Sequence, residues 1–253
     1  MRHTPFTPVL LTLAVAGTFT SCRKDPALPV EVRPVIRLTV DPLWNGAPFN
    51  KDSAYVTAGG QRVQVDLLKF YLSDLALTTS GSTERLFAAD LFNITDGPEQ
   101  RWLTAEAGTW SGVRFGLGLP YELNHRDLAT IPPNDPLGNN SGMYWDWGSM
   151  YKFAIFDGRF NNDVGSPSLP FLFSFHTGLD TCYRVRSFTL PLRTGSGDTL
   201  RLTLNVDLAR FFTDGNQVLD LSQGAIWHGE PDLLPLALKV VDLQAAAISV
   251  DTE

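Results

Sequence analysis

The sequence predicts an all-β fold, an antiparallel β-sandwich with a long inserted loop and a short C-terminal helix. Three observations predict it. Apolar and polar residues alternate, as where Leu200, Leu202, Leu204, Val206 and Leu208 are set between Arg201, Thr203, Asn205 and Asp207; that is the period of a strand with one wet face. Turn dipeptides separate such stretches: Asn45-Gly46, Gly59-Gly60, Ser80-Gly81, Asp157-Gly158, Thr194-Gly195 and Asp214-Gly215. One segment, residues 232–247, instead spaces Leu233, Leu236, Ala237, Val240, Val241 and Leu243 as a helix does.

Residues 1–21 stand apart from the fold. Arg2 precedes an apolar run over 9–20 that is too short to cross a bilayer, so this segment reads as a signal peptide. The run ends in Phe19-Thr20-Ser21-Cys22, which resembles a bacterial lipobox, with Cys22 the residue that would be lipidated. Residues 22–34 then form a charged, Pro-containing tether, and residues 35–250 one domain. The protein is expected to be exported, periplasmic or anchored to the outer membrane, and to touch the membrane through the lipid anchor alone.

Within the domain, alternation predicts strands over 35–40, 62–66, 70–78, 112–119, 151–156, 170–175, 184–192 and 200–208. Between the fourth and fifth lies 121–148, rich in Pro and Asn and carrying one His and two Trp. Loops of this length in compact domains are usually functional. The final helix begins near Asp232, and Pro235 fits only in its first turn.

Composition narrows the function. Of 253 residues 43% are hydrophobic and 19% charged, which excludes long disorder. The net charge of −7 and the lack of a basic stripe exclude a nucleic-acid partner. There are two cysteines; with Cys22 acylated, Cys182 has no partner and the fold holds without a disulfide. The sequence has no HxH, HExxH or CxxC spacing, no phosphate-binding glycine loop and no GxSxG elbow, so the chain reads as a non-enzyme.

Three histidines follow the leader: His125, His176 and His228. Each has an ordinary reading, as a loop hydrogen-bonder, a satisfied strand imidazole and a helix cap. Trp145 and Trp147, two apart, would share a face and are core aromatics on the same terms. On the residues alone, an alternative stands open: a surface module binding a carbohydrate or protein through Trp110, Trp145 and Trp147.

Longer motifs add to this. GLGLPYELNHRDLATIPPNDPL, followed by GMYWDWGSMYKF, and the downstream Phe173-Ser174-Phe175-His176-Thr177-Gly178 through Cys182 occur in order. With VDLLKFYLSDLAL over 65–77 and Asp220-Leu221-Ser222, they resemble the MbnP family of methanobactin cassettes, which includes the metallo-mystery-pair, four-Cys-motif proteins. The resemblance implies an exported β-sandwich that binds copper. It implies a dihaem cytochrome c peroxidase-like partner of the MauG type, which oxidises a Trp beside the metal to kynurenine. His125 and His176 match family histidines, and Trp145 and Trp147 match the W-x-W, so either indole is the candidate for modification. His228 matches no motif and joins the metal set because histidines are scarce. Here the four-Cys pattern is reduced to Cys182, leaving a lipoprotein form without the family's disulfides. A metal site of this kind requires histidine ring nitrogens within roughly 3–5 Å of each other, given bonds of about 2 Å.

Overall fold

The computed structural model describes residues 32–145 and 150–253. The signal peptide, Cys22, most of the tether, and Trp147 lie outside the described residues.

The strands are β1 (Val35–Trp44), β2 (Ala47–Pro48), β3 (Tyr55–Val56), β4 (Arg62–Thr78), β5 (Thr83–Asn93), β6 (Glu99–Thr104), β7 (Gly108–Leu117) and β8 (Tyr144–Trp145). They continue with β9 (Met150–Asn161), β10 (Phe171–Gly178), β11 (Arg184–Thr194), β12 (Thr199–Asp207), β13 (Ile226–Trp227) and β14 (Ile248–Thr252). Two helices interrupt them, α1 (Tyr121–Asn124) and α2 (Leu234–Ala246). One sheet runs β14-β12-β1-β2, with β6 also on β1; the other runs β11-β7-β4-β9-β10-β13, with β3 and β5 on β4 and β8 on β9.

The expected sandwich is present, and two of its pairings are parallel rather than antiparallel: β1 with β12, and β10 with β13. The alternating pattern explains how β1 and β12 lie together. Ile36, Leu38 and Val40 face inward beside Leu202, Leu204 and Val206, all essentially inaccessible to solvent. Their odd-numbered neighbours form the outer face. Against them pack Leu68, Phe70 and Phe156 of the second sheet, with Phe173, Phe175, Phe211 and Phe212 closing an aromatic core. Apolar burial at about 25 cal/mol per Å² is the main force holding the layers.

Several boundaries differ from the sequence expectation. The stretches 62–66 and 70–78 are one strand, β4, kept continuous by bulges between Val65 and Leu67 and between Ser73 and Ala76. Asp157-Gly158 is not a turn but lies inside β9. Glycine is needed there for closeness: a Cβ on Gly158 would sit 2.2 Å from the Gln64 carbonyl oxygen and 2.4 Å from the Phe173 ring. At Asn45-Gly46 the turn reading holds, with both residues at positive φ, 52° and 77°. The final helix forms with Pro235 in its first turn, but β14 follows it, so the domain ends in a strand.

The described part of the expected loop, residues 121–145, is a built one. It contains α1, two short 3-10 turns and β8. Tyr71 donates to the Pro136 carbonyl and Tyr151 to the Leu137 carbonyl, each at 2.7 Å, while Lys69 donates to that of Ser141. Burial pushes the Tyr151 hydroxyl up to about 12, so it remains a donor. Cys182 is buried and has no disulfide partner among the described residues, its thiol pushed up to about 11 by burial.

Candidate metal centre

The period of two along β10 sends Phe173 and Phe175 into the core and leaves Ser174 and His176 on the outer face. On β9, Asp157 stands directly opposite Ser174. On the other flank β13 runs parallel, pairing Ile226 with Ser174 and Trp227 with Phe175. His228 therefore leaves the end of β13 beside His176. A tight turn fixes it: Gly229 takes φ 113°, and Glu230 accepts the His228 backbone N–H at 2.6 Å.

The two imidazoles stack with centroids 4.3 Å apart and planes 26° from parallel. Ser174 Oγ lies 2.7 Å from Nε2 of His228 and 3.2 Å from Nε2 of His176. Asp157 accepts from Ser174 Oγ at 2.6 Å, and its two oxygens lie 3.1 and 3.2 Å from Nε2 of His176. Burial pushes the Asp157 carboxyl up, but hydrogen bonds from His176 and Ser174, with the neighbouring imidazoles, more than offset it and hold it below its ordinary value. Burial, then the adjacent His176, lowers His228. The result is a carboxylate beside a ring that is neutral at pH 7.

His125 is held by a different partner. Its Nε2 lies 2.9 Å from Asp180 Oδ2, and its ring stacks on Tyr121 at 4.1 Å. The adjacent Asn124, fully buried, donates to the other Asp180 oxygen and accepts from the Tyr151 N–H, clamping α1 to the start of β9. The structure thus brings together His176 and His228, the residue chosen on scarcity alone, while His125 serves the clamp.

Trp145 is 5% exposed and meets the Trp227 ring edge to face at 6.2 Å. Its ring also lies over Gly178, where a Cβ would be 2.5 Å from Cζ3. It is therefore lodged between the strand ends that carry the two histidines. Trp110 is equally buried, its Nε1 donating to Thr194 Oγ1 at 3.1 Å. The glycan or protein platform expected on Trp110 and Trp145 is corrected by this burial, since stacking needs an exposed ring face. Among the described residues the exposed indole is Trp102, at 65%.

Two residues of the cluster, Asp157 and Ser174, were not singled out from the sequence. Asp157 was hidden in an apparent turn, and the one signal for Ser174 was its place two before His176, on the same face of a strand. Among the described residues no three His, Cys, Asp or Glu side chains surround one point as a finished metal cage. Two imidazoles side by side nonetheless suit copper, which takes nitrogen donors readily. Cys182, buried and protonated, is no thiolate donor.

Fold and cluster together define a β-sandwich with a paired-imidazole site on the outer face of one sheet. The family model for MbnP matches residues 33–228, and the chain belongs to that family. Among solved structures it is similar to MbnP from Methylosinus trichosporium, with a TM-score of 0.52 and 14% identity. That match covers 88% of this chain and 99% of the other, and it shows the shared fold. No curated protein matches.

Proposed function

We propose that this chain is an exported, lipid-anchored copper-binding protein without enzymatic activity of its own. The observation that carries the reading is the pair of stacked imidazoles, His176 and His228, brought together by the parallel pairing of β10 with β13. Membership of the MbnP family supports copper as the ion. When bound, copper supplies a redox-active centre at the sheet surface. The chain's part is to hold two imidazoles side by side, keep His228 neutral, and seat Trp145 against the same strand ends. A dihaem MauG-like partner is proposed to oxidise Trp145 or Trp147 to kynurenine; Trp147, in the short connection between Trp145 and Met150, is close in sequence to the indole lodged at those strand ends.

Copper titration tests the reading. One equivalent is expected to bind, with the loss of binding in His176→Ala and in His228→Ala. His125→Ala should retain it, because that ring is engaged with Asp180. Unaltered copper binding in both of the first two variants would overturn the proposal.

A further inference from the structure

The hydrogen bonds around the paired imidazoles fix which nitrogen each ring can offer. Nε2 is engaged in both rings, whereas Nδ1 of neither His176 nor His228 has a hydrogen-bond partner among the described residues. Counting protons settles the polarity. The Asp157 carboxylate only accepts, so His176 Nε2 must carry the hydrogen it gives to Asp157. Ser174 has one hydroxyl hydrogen, and at 2.6 Å it goes to Asp157 Oδ1. The contact from Ser174 Oγ to His228 Nε2 at 2.7 Å then requires that His228 donate. Both rings are in the tautomer protonated at Nε2, with the free lone pair on Nδ1.

We propose that Asp157 and Ser174 are positioning residues that lock both imidazoles in this tautomer, so that His176 and His228 present Nδ1 to the metal. The inference rests on the copper reading above and names the atoms it would use. Metal-bound histidines commonly donate their second ring N–H to a carboxylate, which orients the ring and raises its basicity. Here one carboxylate serves two rings, the first directly and the second through a hydroxyl. Ligation through Nε2 would instead have to displace two ring protons and evict the Ser174 oxygen, which already occupies the space between those nitrogens. The geometry also explains a serine at this position, since only a small residue that both donates and accepts can join His228 to Asp157.

The test is ¹⁵N NMR of the metal-free full-length protein at neutral pH, using two- and three-bond couplings from ring nitrogens to ring carbon-bound protons. Signals are assigned by their loss in His176→Gln and His228→Gln. Both rings are expected to be Nε2–H tautomers. Ser174→Ala should release His228 into a mixture of tautomers while His176 stays fixed. Asp157→Asn should weaken copper binding roughly tenfold to a hundredfold, as loss of such outer partners does elsewhere. An Nδ1–H tautomer at either ring, or a Ser174→Ala protein whose His228 tautomer is unchanged, would overturn the inference. If the wild-type rings are Nε2–H but no copper binds, the copper reading fails and the hydrogen-bond assignment stands.

Discussion

Gly178 shows how one missing side chain can shape the region around the histidines. It closes β10 at a register shift, where a Cβ would lie 2.5 Å from both the Trp145 ring and the Tyr151 carbonyl oxygen. Neither neighbour has room to move freely: Trp145 is wedged against Trp227, and Tyr151 is held by Asn124 and Leu137. Gly178→Ala is therefore expected to destabilise the protein by about 1–3 kcal/mol, the usual cost of overpacking. The same change should shift the tryptophan fluorescence, because the displaced ring is Trp145. Urea unfolding and emission spectra check both; an unchanged midpoint and spectrum would show that the indole does not lean on this strand. Individual residues were also where the sequence was hardest to read. His176 could be named from the motif it shares with the family, and His228 because histidine is rare here. Asp157 and Ser174 could not, because carboxylates and hydroxyls are common and only the β9–β10 register sets these two opposite each other. His125 shared a motif with known metal-site histidines, yet its position next to Asn124 places it within the clamp on Asp180.

At the scale of elements, α2 combines a legible pattern with an illegible detail. Its apolar spacing announced a helix, and Ala237, Val240, Val241 and Leu243 are buried as that spacing requires. Gln244 is also buried, 2% exposed, and neither its amide nitrogen nor its oxygen has a hydrogen-bond partner among the described residues. It borders a cavity of about 10 Å³ whose other walls are apolar, among them Leu68, Phe70, Val206 and Ile248. An unsatisfied buried amide costs about 1–3 kcal/mol. Gln244→Leu or Gln244→Met, close in volume and free of polar atoms, should therefore raise stability by a comparable amount and increase the thermal midpoint. A fall in the midpoint for both would mean that the amide is satisfied by ordered water in solution. Strands tell a parallel story. Of those with clean alternation, β12 was legible almost to its ends, and β1 from Val35 to Val40, four residues short of its end at Trp44. The strands β5 and β6 were not: β5 keeps mostly half-buried residues on both faces, and β6 carries Glu99 and Arg101 on its half-buried side. There Arg101 bonds Asp90 at 2.6 Å and lies 4.4 Å over the Phe92 ring. A charged residue facing inward hides a strand from any hydrophobic count.

For the molecule as a whole, chain order places the first regular strand in the middle of a sheet. β1 is bordered by β12 on one edge and by β6 and β2 on the other, so the folded domain begins inside its own framework. Pairing β1 with β12 joins residues 35–43 to 199–207, and most of the intervening chain must be organised before that sheet is complete. A segment leading out from a central strand is well placed to act as an attachment, because pulling on it loads a strand hydrogen-bonded on both sides. Cys22 stands thirteen residues before Val35, a distance that a fully extended chain spans in about 45 Å. The anchor proposed for this protein rests on that cysteine, and no helix among the described residues is long and apolar enough to cross a membrane. Cys22→Ser is expected to move the protein from the membrane pellet to the soluble fraction. Every side chain of the paired-imidazole cluster lies between residues 157 and 228, within the folded domain, so the released protein should keep the same copper stoichiometry as the anchored one. Persistence of Cys22→Ser protein in membranes after an alkaline carbonate wash would refute lipid attachment at this residue. Release with loss of copper binding would instead show that the site depends on the N-terminal segment, in contradiction to the domain boundary drawn at Val35.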